Sequence, residues 1–85
     1  MRFRLTTEKA EGRVVLRVEG SLSPASLELL EAACRDARAG GDATVIELSG
    51  LRSLPDVAAQ RLAALARSGV QLTGASGFVA ALLRA

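Results

Sequence analysis

Few residues of this chain are equipped for chemistry. No histidine occurs, so the Ser-His-Asp and Cys-His arrangements and the commonest transition-metal ligand are excluded. One cysteine, Cys34, excludes both a disulfide framework and a zinc cluster. The sharpest motif is Thr73-Gly74-Ala75-Ser76-Gly77-Phe78-Val79-Ala80, a Gly-rich string between an apolar segment and a helical pattern. A dinucleotide fingerprint has that setting, with backbone N–H groups of the turn facing a pyrophosphate. It also needs an acidic residue about twenty positions on for the ribose, and the sequence ends at Ala85. The motif therefore reads as a strand-to-helix turn with Ser76 as N-cap.

Asp56 stands beside a helix start, where a carboxylate complements the macrodipole and accepts backbone N–H bonds. Ser49 and Ser53 read as hydroxyls of a surface loop with no base nearby. Cys34 falls on an apolar stripe and reads as a small hydrophobe. Glu47, alone in an apolar run, faces solvent at a strand end or pairs with an arginine. No two carboxylates have a spacing that suggests acid/base work. The residues support no enzyme, no cofactor and no metal.

The elements that must carry these residues follow from periodicity. Residues 2–7 alternate, with Phe3 and Leu5 on one face, and read as a strand. Residues 8–12 form a polar turn ending in Gly12, and residues 13–19 alternate again with Val14, Leu16 and Val18 inward, completing a hairpin. Ser23-Pro24 is a helix start, with Ser as N-cap and Pro at the first helical position. Over 24–39, Leu27, Leu30, Cys34 and Ala37 form one stripe, and Glu31–Arg35 is an i,i+4 pair. Gly40-Gly41 ends the helix. Residues 43–48 read as a central strand, followed by a loop holding Leu51, Leu54 and Pro55. A second helix over 56–68 carries Ala58, Leu62, Leu65 and Ala66 on its stripe. Residues 70–73 form a short strand, and 77–84 a short helix burying Phe78, Val79 and Leu82.

The order β-β-α-β-α-β-α predicts an α/β domain over residues 1–85: a small mixed sheet with an antiparallel opening hairpin and the helices packed on one face. Eighty-five residues bury only about 60–65% of the surface their unfolded form exposes. The net charge is +2, and the basic residues are scattered rather than gathered on a face. With Phe3 and Phe78 the only aromatics, there is no stacking platform and no nucleic-acid signature. No apolar run approaches the ~20 residues of a membrane span, and the N-terminus lacks the apolar stretch of a signal peptide. The expected location is the cytoplasm, with Cys34 reduced.

Three segments together resemble the STAS domain, the fold of anti-sigma-factor antagonists: VVLRVEGSLSPASLELLEAA at 14–33, VIELSGLRSL at 45–54 and VQLTGASGFVAALL at 70–83. Gly20-Ser21-Leu22-Ser23 matches the family's G-x-L-(D/S) turn, and Glu47-Leu48-Ser49-Gly50-Leu51 its strand end. The resemblance covers nearly the whole chain and implies a protein-interaction module. Without gaps, Pro55 falls on the family's loop Asp, Asp56 on its phosphoacceptor Ser or Thr, Val57 on the second hydroxyl position and Ala58 on the Gly. The usual last strand and helix of the family have no counterpart.

The resemblance implies partner binding through the loop and second helix, at Ser53, Pro55, Asp56, Val57, Gln60 and Arg61. The partner it implies first is an anti-sigma factor of the kinase type, with Asp56 in place of a phosphorylatable hydroxyl. The alternative is the ATPase of a bacterial ATP-binding-cassette transporter, of the phospholipid-trafficking kind, on which the domain is an accessory subunit and meets a membrane only through that partner. A homodimer is also expected, through the uncharged 70–73 edge or the apolar face near Phe78 and Leu82.

Overall fold

A computed structural model of the chain describes residues 3–75. The elements run β1 (Phe3–Ala10), β2 (Arg13–Ser21), α1 (Pro24–Ala39), β3 (Ala43–Ser53), α2 (Asp56–Arg67) and β4 (Gln71–Thr73). The helix expected over 77–84, with Ser76, Phe78 and Leu82, lies outside the described residues.

The four strands form one mixed sheet in the order β1-β2-β3-β4. β1 and β2 pair antiparallel, with Phe3 opposite Gly20 and Ala10 opposite Arg13. The hairpin turn is tighter than the polar run 8–12 suggests. Only Glu11 and Gly12 lie outside the strands, and Gly12 has φ +71°, which a residue without a Cβ adopts freely. β3 lies parallel to β2 and β4 parallel to β3, as strand–helix–strand crossovers require.

α1 starts as its sequence dictates. Ser23 is the N-cap, its Oγ accepts the Ser26 N–H at 3.2 Å, and Pro24 follows in the first turn. Its buried residues include Leu27, Leu30, Cys34 and Ala37, the expected stripe. These side chains meet Val14, Leu16 and Val18 of β2, Ile46 and Leu48 of β3, and Ala58, Ala59 and Leu62 of α2 in one apolar cluster. Both helices thus cover one face of the sheet. The other face carries Arg17, Glu8 and Glu47 and, in the middle, Val45, whose neighbours in register are Val15 and Gln71.

Four expectations are corrected. β3 does not end at Leu48 but continues to Ser53, so Ser49 and Ser53 belong to a strand rather than a loop. A register shift beyond Arg17 brings Glu19 opposite Gly50, and a Cβ on Gly50 would sit 2.7 Å from the Glu19 Cγ and 3.2 Å from the Val18 carbonyl. The missing side chain lets the strands stay together past the irregularity. On α2 the inward residues are Ala58, Ala59 and Leu62; Leu65 is half-buried and Ala66 exposed. Leu65 still packs against the core cluster, while Ala66 points away from it. Glu31 pairs with Arg61 of α2 rather than with Arg35. Finally, α2 opens at Pro55, which supplies no side-chain bond, and Asp56 faces the helix start as a charge rather than as an acceptor of backbone N–H bonds.

Candidate functional site

Parallel strands deliver their helices in the same direction, and side-chain bonds hold α1 and α2 side by side. Arg61 donates to Glu31 from Nε at 2.9 Å and from Nη2 at 2.5 Å. Arg38 donates to the Ser68 hydroxyl at 2.7 Å and to the Ser68 carbonyl at 2.6 Å. The two contacts join residues equally far apart in sequence, so the helices are parallel and in constant register.

This pair of helices presents the residues singled out from the sequence. Pro55, Asp56, Val57, Gln60 and Arg61 are all exposed, and Ser53, at the end of β3, is half-buried. Val57, Gln60 and Arg61 follow at helical i, i+3, i+4 spacing and form one outward stripe. Val57 is 61% exposed, a large apolar side chain at the edge of the loop. Asp56 precedes it in the first turn, so a fixed negative charge sits at the positive end of α2.

The structure adds a residue that the sequence reading missed. Leu29 of α1 is 61% exposed and, with Ala25, Glu28, Ala32 and Arg35, lines a shallow groove on the outer face of the helical layer. Arg61 and Glu31 close its wall. The available signal was position: Leu29 lies off the Leu27–Leu30–Cys34–Ala37 stripe, so it cannot reach the sheet. Leu29 and Val57 are the exposed large hydrophobics of the described residues.

Two groups with displaced pKa values sit elsewhere. The Cys34 thiol is pushed up to about 11, chiefly by burial, and is held as the inert thiol. The Glu47 carboxylate is held below the usual range, first by the Ser49 N–H, which donates to Oε1 at 2.8 Å, and then by the Ser49 hydroxyl, which donates to Oε2 at 2.8 Å. Arg17 adds its charge at 3.6 Å. Glu47 thus has the arginine partner its isolation in an apolar strand suggested. Ser49 is occupied as its donor.

The Gly-rich turn begins at Gly74, with φ +72°. A Cβ there would collide with the Glu47 Oε1 and approach the Ser49 nitrogen to 3.1 Å. The positive φ and the Ser49 backbone, rather than the movable Glu47 carboxylate, favour glycine here. Among the described residues no group of three His, Cys, Asp or Glu is gathered as for a metal ion, and no helix is long and apolar enough to cross a membrane.

What the arrangement offers is a surface: an apolar anchor beside a helix-terminal carboxylate, and a second anchor in a groove rimmed by an ion pair. In comparison with known proteins, the family model described as "Mlab, STAS domain" matches residues 5–85. No curated protein matches the chain.

Proposed function

The chain belongs to the STAS domain family, and on that premise we propose that it is a protein-docking module that binds its partner without a phosphorylation switch. STAS domains are in general non-enzymatic modules that bind other proteins. The observation that carries the proposal is the start of α2. Pro55 is the N-cap, Asp56 and Val57 follow, and no hydroxyl stands in the first turn for a kinase to modify. The contact residues are Val57, Gln60 and Arg61 of α2 and Pro55 and Ser53 before it, with Leu29 as the anchor on α1.

Of the two partner classes the family resemblance implies, the ATPase of an ATP-binding-cassette transporter fits this surface better. An anti-sigma-factor antagonist cycles by gaining and losing a phosphate, and a permanent carboxylate cannot cycle. An accessory subunit needs no such cycle. One observation favours the other class. Asp56 supplies a charge of about −1 where a phosphate would supply roughly −1.5 to −2, which suits an antagonist held in one state.

The test places a photo-activatable side chain at Val57 and, as a control, at the exposed Gln71 on β4, in the natural host. Cross-linking at Val57 to a transporter ATPase supports the proposal, and cross-linking to a kinase-type anti-sigma factor supports the second class. Cross-links confined to Gln71, or stoichiometric phosphate on Ser49 or Ser53 in the recovered protein, overturn it.

A further inference from the structure

Among the described residues the sheet has two edges, and they differ in length. β4 offers three residues, Gln71–Thr73, whereas β1 offers eight, Phe3–Ala10, of which Thr6 to Ala10 are exposed without interruption. The free N–H and C=O groups of a long edge strand are a template for another strand. Charges on an edge normally discourage such pairing, and β1 carries Arg4, Glu8 and Lys9. Their positions nevertheless have a symmetry that favours one partner.

Two copies of β1 can pair antiparallel about a twofold axis normal to the sheet, which keeps both helical layers on the same side. Residues opposed across that axis must then project to the same face, so the axis passes through a residue and opposed positions differ by an even number. With the axis at Thr6, Leu5 opposes Thr7, Phe3 opposes Lys9, and Arg4 of each copy opposes Glu8 of the other. With the axis at Thr7, Arg4 opposes Ala10 and Thr6 opposes Glu8. With the axis at Leu5, Arg4 opposes Thr6 and fewer residues of β1 engage. Within Phe3–Ala10, the register centred on Thr6 is the one that sets opposite charges face to face, and it does so twice.

The environment of Glu8 is ready for this. Its carboxylate is held by Arg17 at 2.9 Å, and Arg17 also reaches Glu47 at 3.6 Å, on the face away from the helices. A second copy's Arg4 would continue that alternation of charge across the junction. Phe3 and Leu5, half-buried on the helical side, would gain cover from Lys9 and Thr7 of the second copy.

We propose that the chain forms a homodimer through antiparallel pairing of β1 centred on Thr6, joining the two sheets into one of eight strands with Arg4 and Glu8 paired reciprocally across the twofold axis. The interface lies on the β1 edge, so dimerisation and partner docking on the helical layer are separable.

Sedimentation equilibrium at tens of micromolar, with circular dichroism to confirm the fold, tests it on four proteins. The parent protein is expected at twice its 8.8 kDa mass. Arg4→Glu alone and Glu8→Arg alone each set like charges in opposition and are expected to weaken the dimer about tenfold or more. The double exchange, Arg4→Glu with Glu8→Arg, recreates both pairs in reverse and is expected to restore it, although it carries the intrachain cost of both changes. A parent protein of 8.8 kDa across the dilution series overturns the proposal. So does a dimer indifferent to the folded single exchanges, or one that the double exchange fails to recover.

Discussion

Arg61 of α2 grips both carboxylate oxygens of Glu31 on α1, and one helical stretch further on Arg38 of α1 grips the hydroxyl and carbonyl of Ser68 at the end of α2. The helical layer is therefore pinned at two levels by arginines that face in opposite directions, one from each helix.

These pins set alignment more than stability. The Arg61 side chain is 48% exposed, and such a pair contributes about 0–1 kcal/mol. Glu31→Gln is expected to lower the unfolding free energy by less than about 1 kcal/mol in urea titrations, with the difference shrinking in high salt. A loss above about 3 kcal/mol would mean that the pair behaves as a buried one.

Cys34 makes stability depend on alkaline pH. Burial raises its thiol from 9.0 to about 11, so the folded form keeps a proton that the unfolded form loses. The folded chain then binds more protons between these values, and stability falls as pH rises from about 9 to 11, by roughly 2–3 kcal/mol. Urea unfolding at stepped pH is expected to show the fall, and Cys34→Ala to flatten it. The thiol is also expected to resist a disulfide reagent at pH 8 until the chain unfolds.

Glu47 acts at the other end of the scale. Its folded pKa is lowered by the Ser49 N–H, the Ser49 hydroxyl and Arg17. Its contribution is fully present above the ordinary carboxylate pKa and is lost as pH falls through the folded value. Glu47→Gln is expected to lower stability at neutral pH and to reduce the slope of the acid limb. An unchanged acid limb in the variant would assign that slope to other carboxylates.

Gly74 tests the same corner sterically. Gly74→Ala meets both a φ of +72° and the Glu47 carboxylate. The expected loss is about 1–3 kcal/mol, of which Glu47→Ala in the same chain recovers the part due to the carboxylate and neither the Ser49 contacts nor the backbone part. A neutral Gly74→Ala in thermal unfolding would show that the turn opens at no cost.

Val57 and Leu29 separate docking from folding. Each is 61% exposed, so Val57→Ala and Leu29→Ala are expected to change stability by less than about 0.5 kcal/mol. Both are expected to weaken capture of the partner identified by the Val57 cross-link. Retained capture by both variants would move the docking surface elsewhere.

The sequence alone determined what depends on local periodicity and local chemistry. The cap at Ser23-Pro24, the Leu27–Leu30–Cys34–Ala37 stripe, the alternation of Val14, Leu16 and Val18 and the glycine stops specified the order of the described elements, and their order required a mixed sheet. A hydrophobic stripe records which side of a helix seeks cover, and a capping residue bonds within three positions of itself. Pairings between distant segments leave no such local trace. That Glu31 prefers Arg61 to Arg35 depends on how closely the two helices approach. That β3 runs on through Ser49 to Ser53 depends on a neighbour willing to pair with it and on Gly50 admitting Glu19. That Ala59 is buried and Ala66 exposed depends on how α2 is rotated against the core. The candidate site divides in the same way. The α2 residues came from the family resemblance, while their companion Leu29 and the groove beside it exist only because two parallel helices, brought together by the core, leave a furrow on the side the core does not fill.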